Sequence, residues 1–259
     1  MHRWVCLFVK QPSGRCKMLR KIILHIAKKK NADFSLDPSL SNEVLFSFLL
    51  DKFISWIRSW KFIFCKREWM LFIGRRVHIR GQRSASFGKA VQIGDGVQIT
   101  AWGKSGLSIG DYSWIGSYSF LKVSFSLNDS GKFITIGKNV GIGEYAHLGG
   151  AGGLSIGDDC IIGPYLSCHP ENHRFLDMQE LIRLQGTQRK GISIGNNCWI
   201  GAKVTILDGV HIGNNCVIAA GAVINKDMPD NAVIGGVPAR VIRSRSVDEV
   251  NISTQRMSA

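Results

Sequence analysis

Isoleucine recurs at a constant spacing of six residues near the C-terminal end of this chain, and this spacing limits the available folds more than any other feature. The positions are Ile194, Ile200, Ile206, Ile212, Ile218 and Ile224. A period of six matches neither the helical repeat of about 3.6 residues nor the alternation of an ordinary strand. It is typical of the hexapeptide repeat of a parallel β-helix, in which three rungs form one triangular coil. We therefore expect these side chains to fill the interior of coils stacked about 4.8 Å apart.

The residues around these isoleucines favour the same fold. A small or thin side chain lies two positions before five of them, at Cys198, Val204, Val210, Cys216 and Ala222. The spacing begins by about Val77 and has further rung positions at Ile109, Ile115, Leu121, Ile136, Ile142, Leu148, Ile156, Ile162 and Cys168. The sequence thus predicts an all-β domain, a parallel β-helix over residues 77–245. An α-helical segment at 1–76 precedes it and a flexible tail at 246–259 follows it.

The charge of the chain is concentrated at its N-terminal end. The net charge is +14, and residues 1–80 contain 17 Lys and Arg against five Asp and Glu, whereas the remainder contains 16 against 14. With 45% hydrophobic residues, the chain has enough apolar surface for a core, which excludes general disorder. The basic N-terminal part therefore suggests an anionic partner, either a membrane surface or nucleic acid.

Residues 43–73 are rich in aromatic side chains that are interrupted by charges, so no clean membrane-spanning stretch of about 20 residues is present. Trp and Phe mixed with Lys and Arg at helical spacing suit an amphipathic helix at a membrane surface. A helix that caps the end of the β-helix is an equal alternative, and both roles are compatible. Residues 19–30 predict a short basic helix, and translation starts at either Met1 or Met18. Because no nucleic-acid module is recognisable, we expect no nucleic-acid partner.

The cysteine pattern argues against a disulfide framework. The chain has seven cysteines, an odd number, without any CxxC pair. Cys160, Cys198 and Cys216 occupy the small interior position of a rung, where a thiol acts as a compact hydrophobe. A reducing, cytoplasmic location follows as the expectation, with or without peripheral contact at the inner face of the membrane.

The largest interruption of the repeat carries two histidines. Twenty residues leave the coil between Cys168 and Ile192, and insertions in solenoids collect on the binding face. His169 and His173 lie in this catalytic-loop candidate, residues 168–192. Since imidazole changes charge near neutral pH, either histidine is a candidate general base.

Several segments together resemble the hexapeptide-repeat acyltransferases. They are the hexads, the loop, Cys198-Trp199-Ile200-Gly201-Ala202, and the ending Gly235-Gly236-Val237-Pro238-Ala239-Arg240-Val241-Ile242. The resemblance covers roughly residues 77–245. It is strongest to the O-acetyltransferases of bacterial surface polysaccharide synthesis, relatives of the galactoside, maltose and xenobiotic acetyltransferases. It implies a left-handed β-helix, acetyl-CoA as co-substrate, a homotrimer and no metal.

The resemblance also implies roles for particular residues. His173 would be the general base, because it lies eleven residues after Ile162 as in the galactoside enzymes, and Asn172-His173-Arg174 resembles the xenobiotic enzymes; His169 is the fallback. His147 stands where galactoside enzymes carry a substrate-binding asparagine, and Glu144 lies at the same mouth, although the acid of those enzymes is replaced by a turn at Gly149–Gly153. The implied CoA-binding residues are Ala202, Ala220, Asn225, Lys226, Arg240 and Arg243.

The resulting hypothesis is acetyl transfer from acetyl-CoA to a sugar hydroxyl of a polysaccharide or glycolipid precursor. Another small acceptor, such as an amino sugar, an amino acid or a xenobiotic, is the first alternative. A carbonic anhydrase of the same fold would need three histidines that converge on zinc. A non-catalytic solenoid is the last alternative.

Overall fold

The computed structural model of the protein describes residues 20–21, 23–25, 27–28, 33–68, 70–124 and 129–245. The chain divides into two compact units, Met1–Ile54 and Ser55–Ala259. The predictions for residues 1–17, for Met18 and for the tail at 246–259 fall outside the described residues.

Most of the described residues of the N-terminal unit are helical. The described residues between 20 and 28 are helical, and the helix α1 begins in this unit and spans Asn42–Arg58. Ser41 caps α1, because its Oγ accepts a hydrogen bond from the Val44 amide at 3.3 Å. The Arg20 guanidinium donates to the carbonyls of Asp37 and Leu40, which ties the connecting segment to the preceding helix. No helix among the described residues is long and apolar enough to cross a membrane.

The second unit contains short strands and the 3₁₀ helices Ser59–Phe62 and Gln82–Ser84. The strands are β1 (Lys66–Arg67), β2 (Leu71–Ile73), β3 (His78–Arg80), β4 (Ala85–Phe87), β5 (Val91–Ile93), β6 (Gln98–Thr100), β7 (Gly106–Ile109), β8 (Trp114–Ile115), β9 (Phe120–Lys122), β10 (Phe133–Ile136), β11 (Gly141–Ile142), β12 (His147–Gly149), β13 (Leu154–Ile156), β14 (Ile161–Ile162), β15 (Ser167–His169), β16 (Asn172–His173), β17 (Thr187–Gln188), β18 (Ile192–Ile194), β19 (Trp199–Ile200), β20 (Thr205–Leu207), β21 (His211–Ile212), β22 (Val217–Ile218), β23 (Val223–Ile224), β24 (Ala232–Gly236) and β25 (Ala239–Ser244).

All of these strands except β16 and β17 form three sheets, the walls of a triangular prism, in which neighbours pair in parallel except for the antiparallel pair β24 and β25. Sheet A has the order β1-β4-β7-β10-β13-β18-β21, sheet B the order β2-β5-β8-β11-β14-β19-β22-β24-β25, and sheet C the order β3-β6-β9-β12-β15-β20-β23. Consecutive strands of the chain enter sheets A, B and C in turn, so each set of three completes one coil. Coil 1 contains β1–β3, and coil 7 contains β21–β23. The predicted all-β fold class, a left-handed parallel β-helix with an N-terminal helix, is confirmed.

The rung residues that the spacing predicts fill the interior of the prism. Ile136 pairs with Ile109 of the coil before and Ile156 of the coil after, and each is at most 2% exposed. Cys160, Cys198 and Cys216 are also buried free thiols, as predicted. Burial raises the pKa of the enclosed Cys168 thiol to about 12, so this cysteine stays protonated and serves as core.

The first coil begins at Lys66 rather than near Val77, so the predicted start of the repeat is too late. β1 and β2 pair in parallel with β4 and β5, as the later coils do. Phe62 is 8% exposed and belongs to the same core, and Ser55 Oγ donates to the Ile73 carbonyl at 2.9 Å. The aromatic residues around β2 make this coil difficult to recognise in the sequence. Because its outward residue Phe72 is also apolar, the segment resembles one face of an apolar helix.

Candidate active site

Two histidines stack on the outer face of sheet C. His147 on β12 pairs with Ser167 on the neighbouring β15, which places His169 one coil above. The ring centroids of His147 and His169 are 5.5 Å apart with an interplanar angle of 24°. A 2.7 Å hydrogen bond joins His169 Nε2 to Ser167 Oγ. The prediction that His169 lies in a loop is wrong: this residue belongs to a strand, because β15 continues through residue 169.

The surroundings of His147 favour its neutral form. Burial, followed by the positive charge of His169 and of Lys122, lowers the pKa of His147 below its usual value. Lys122 comes from β9, where it pairs with Gly149 of β12. Because its pKa is lowered, the His147 imidazole is harder to protonate in the folded chain than in the unfolded chain. This group therefore lowers the free energy of unfolding as the pH falls below the ordinary pKa of histidine, and it has no such effect at higher pH. A neutral imidazole offers a donor and an acceptor, which is what a hydroxyl group needs.

His173 lies on an arm that leaves the prism directly after β15. The predicted loop 168–192 is shorter in the structure, because β15 ends at His169 and β18 begins at Ile192. The arm contains the antiparallel strands β16 and β17, in which His173 pairs with Thr187. His173 is exposed and lines an open recess together with Arg174, Asp177 and Glu180. The arm thus presents an imidazole outside the prism.

The base of this arm is fixed by Arg189. Its guanidinium contacts Asp129 at 2.7 Å and Glu171 at 3.0 Å, and its side chain is only 18% exposed. Asp129 lies in the excursion after β9, and Glu171 lies two residues before His173. The pairing therefore ties both ends of the arm to a neighbouring loop. Arg189 is not predictable from the sequence, because its two partners come from separate insertions whose contact no spacing predicts.

The tip of the arm is held by a single amide side chain. Gln185 Nε2 donates to the carbonyls of Asp177 and Glu180 at 2.8 Å each, and Gln185 Oε1 accepts from the Asp177 amide at 3.2 Å. These hydrogen bonds give the exposed arm a defined shape where it has little core of its own.

The residues implied in CoA binding occupy three different places. Ala202 and Ala220 follow β19 and β22 at the corner between sheets B and C, and the Gly221 amide donates to the Ala202 carbonyl at 2.8 Å. Asn225 and Lys226 follow β23 at the opposite edge of sheet C. Arg240 and Arg243 lie on β25 at the end of sheet B.

One chain therefore brings together only some of the implied site. His147 and His169 contact each other, and Glu144 lies at the corner that precedes β12. His173 lies on the arm, and the implied CoA-binding residues are on two edges of sheet C and on sheet B. Within the described part of the chain, no group of three His, Cys, Asp or Glu residues could hold a metal ion.

The repeat is recognised by comparison with known proteins as well. Residues 191–226 match the family model described as bacterial transferase hexapeptide (six repeats). The galactoside O-acetyltransferase of Escherichia coli K12 is 36% identical over 94 residues, which cover 35% of this chain and 43% of that protein. Another Escherichia coli K12 protein, provisionally named a lipopolysaccharide biosynthesis O-acetyl transferase, is 25% identical over 173 residues, which cover 64% of this chain and 74% of its own.

Among solved structures, a hexapeptide-repeat acetyltransferase from Vibrio cholerae in complex with acetyl coenzyme A is 24% identical, covers 90% of this chain and 91% of its own, and has a TM-score of 0.40. The chain spans about half the length of the first curated relatives that it matches. The predicted resemblance to the hexapeptide-repeat acyltransferases is confirmed by the family model and by the names of the curated relatives.

Proposed function

We propose that this protein is an acetyl-CoA-dependent O-acetyltransferase that acts on a sugar hydroxyl of a polysaccharide or glycolipid precursor. The observation that carries the proposal is the anchored arm: it presents the exposed His173 directly after the strand that bears His169, which stacks on His147. The names of two relatives, a galactoside and a lipopolysaccharide O-acetyltransferase, support a sugar hydroxyl as the acceptor.

The reaction needs one base and one activated donor. An imidazole nitrogen of His173 accepts the proton of the sugar hydroxyl while its oxygen attacks the thioester carbonyl of acetyl-CoA. The C–O bond forms, the C–S bond breaks, and the CoA sulfur leaves and takes the proton back from the imidazolium. Such general base catalysis contributes about 10²–10⁴-fold in rate. His147 would hydrogen bond to the acceptor, and backbone N–H groups at a coil corner would stabilise the oxyanion.

The donor would lie along the regular C-terminal coils. Ala202 and Ala220 offer backbone amides at one corner on consecutive coils, which suits the amide-containing pantetheine arm. Lys226, Arg240 and Arg243 supply cations for the CoA phosphates. These groups lie on separate walls of one prism, so a groove between two copies of the chain would bring them to the same CoA.

A homotrimer would supply that groove. The arm exposes six large apolar side chains, each more than half exposed: Phe175, Leu176, Met178, Leu181, Ile182 and Leu184. On sheet B, Ile161 is 68% exposed and Trp199 is 59% exposed, and both point outward. Apolar surface of this extent marks an interaction site, and each arm would cover part of a neighbouring copy.

The double substitution Leu176→Asp and Leu181→Asp is expected to convert the trimer to monomers, because it buries two carboxylates in the contact. Light scattering coupled to size exclusion measures the mass. Thr135→Asp, on the exposed part of sheet A, is the matched control and should leave the trimer intact. A wild-type protein that is monomeric at micromolar concentration would contradict the arrangement.

Peripheral membrane contact would bring the enzyme to a lipid-linked acceptor. Along α1, Phe46, Phe48 and Phe53 are each more than half exposed, and Leu45 is the one residue of this helix that is buried. Together with Lys52 and Arg58 these residues suit the surface of an anionic bilayer. The protein should co-sediment with vesicles containing phosphatidylglycerol, and Phe46→Asp with Phe53→Asp should abolish this. If the variant sedimented with the vesicles as much as the wild-type protein does, α1 would not be the membrane contact.

A direct test of the activity is an assay of acetyl transfer. Purified protein with acetyl-CoA is incubated with neutral sugars, acidic oligosaccharides, amino sugars and chloramphenicol, and acetylated products are identified by mass spectrometry. We expect an O-acetyl ester on at least one sugar and release of one CoA per ester. If only amines were acetylated, the acceptor group would be an amine and not the proposed sugar hydroxyl. If no acceptor gave a product, the result would contradict an O-acetyltransferase.

A further inference from the structure

Basic side chains lie on the outer face of four of the first five strands of sheet C. Side chains on a strand alternate, so the first and third residues of each three-residue strand point outward. In sheet C the outward basic side chains are His78, Arg80, Lys122, His147 and His169. The strands of sheet C, all of which the structure describes, carry no Asp or Glu. The face therefore has positive charge without a carboxylate of its own to neutralise it.

A recess of about 550 Å³ lies on this face across coils 1 to 3. Its lining includes Arg80, Gln98, Thr100, Trp102, Lys122 and Ser124, and none of the described residues that line it is acidic. The cations, the amide and the hydroxyl groups are hydrogen-bond donors, and the indole adds a flat apolar wall. A recess that combines several donors, two fixed cations and an aromatic ring fits a sugar that carries a negative charge.

The recess is built into the coils rather than lying on mobile surface chains. Arg80 pairs with Thr100, and Thr100 pairs with Lys122, so the three occupy one column on consecutive coils. Ser124 Oγ donates to the Trp102 carbonyl at 2.8 Å and accepts from the Gly131 amide at 2.8 Å. These contacts hold the edge of the recess in place.

The recess borders the strand that carries the candidate active-site residue His147. Lys122 pairs with Gly149 on β12, the strand of His147, and His169 lies one coil further. Four strand spacings of about 4.8 Å separate Arg80 from His169, a distance of about 19 Å along the prism axis. The positive charge of Lys122 also contributes to the lowered pKa of His147. The implied CoA-binding residues lie on the other side of the histidines, on coils 6 and 7 and on β25.

We propose that this recess binds an anionic group, a carboxylate or a phosphate, on the acceptor glycan, and that the acceptor is therefore an acidic rather than a neutral sugar chain. The proposal rests on the proposed O-acetyltransferase function and deepens it by naming the substrate class. The glycan would run along sheet C, with its anionic residue over coils 1 to 3 and the hydroxyl to be acetylated beside His147. Arg80 and Lys122 would pair with the anion, and the Trp102 ring would pack against the sugar.

The test measures binding separately from turnover. Isothermal titration without acetyl-CoA compares trigalacturonic acid with its fully methyl-esterified form, which keeps the sugar rings but replaces each carboxylate with an uncharged methyl ester. A second pair, galactose 1-phosphate and galactose, distinguishes phosphate from carboxylate. Arg80→Gln and Lys122→Gln remove one cation each, and Lys138→Gln, exposed at the corner between sheets A and B, is the matched control. Acetyl-CoA hydrolysis of each variant serves as a check on the donor site.

We expect one acid of the two pairs to bind at least about tenfold tighter than its neutral counterpart, as a charge-assisted hydrogen bond allows. Each of Arg80→Gln and Lys122→Gln should weaken this binding about tenfold, and the binding should weaken with added salt. Lys138→Gln should change it less than about twofold, because this lysine lies far from the recess.

Equal binding of acid and neutral forms, or an unchanged dissociation constant in both recess variants, would overturn the proposal. So would a selective loss of CoA binding in Arg80→Gln and Lys122→Gln, because the recess would then serve the donor. Charge-dependent glycan binding without transfer to any acceptor would refute the proposed function while supporting the recess. Transfer to neutral sugars with unaltered rates in both variants would support the function and reject the acidic acceptor.

Discussion

His173→Ala is expected to lower kcat for acetyl transfer by about 10²–10⁴-fold, the contribution of a positioned general base. The imidazole is exposed on the arm and pairs through its backbone with Thr187, so its removal should not disturb a core. Because acetyl-CoA and the acceptor would still bind, KM values should change far less than kcat. Steady-state kinetics with the best acceptor of the panel measures both constants.

The matched control for His173→Ala is His211→Ala. His211 is likewise exposed on a short strand, β21, but it lies on sheet A and hydrogen bonds to Ser193. It should keep kcat within about twofold of the wild-type value. The variant His169→Ala distinguishes between His173 and His169 as the general base. If His169→Ala abolished turnover and His173→Ala retained it, the base would be His169, and turnover in both variants would exclude each of these two histidines as an essential base.

Ile136→Ala is expected to lower the free energy of unfolding by about 2–5 kcal/mol, because it removes buried methyl groups and leaves a cavity. Ile136 is 1% exposed and lies between Ile109 and Ile156 in the middle of the stack. A central coil has packed neighbours on both sides, which limits the collapse of the cavity. Equilibrium unfolding in urea, followed by circular dichroism at fixed protein concentration, measures the loss.

Thr135→Ala tests whether burial causes this effect. Thr135 precedes Ile136 on β10 and points outward from sheet A, where it is exposed. Its loss should change the free energy of unfolding by less than about 0.5 kcal/mol, as for surface substitutions in general. A comparable loss in both variants would mean that strand propensity, not interior packing, limits stability at this rung.

The outward positions distinguish the three walls of the prism. Sheet A presents mainly hydroxyl side chains, including Ser86, Ser108, Thr135, Ser155 and Ser193. Sheet B presents apolar ones, including Phe72, Trp114, Ile161 and Trp199. Sheet C presents the basic set that includes Arg80, Lys122 and His147. Interior packing restricts the choice of amino acid at every sixth residue but not at the outward residues beside it. Each wall can therefore serve a different role.

The sequence by itself determined the scaffold. A period of six with a thin residue two places before each aliphatic one admits few structures other than stacked triangular coils, and every rung residue named from that period is buried. The same period located the large insertion before Ile192. It failed at coil 1, where Leu71 and Ile73 flank Phe72 in an aromatic segment that also suits a helix.

Only the tertiary structure decided which outward residues meet. His147 and His169 are 22 positions apart in the sequence, and the two rings stack because the coil between them returns to the same wall. Arg80 and Lys122 share a column for the same reason. Arg189 contacts Asp129 although the two residues lie in separate insertions. The period fixes which side chains point inward, but contacts outside depend on coil register and on irregular insertions, which local spacing does not encode.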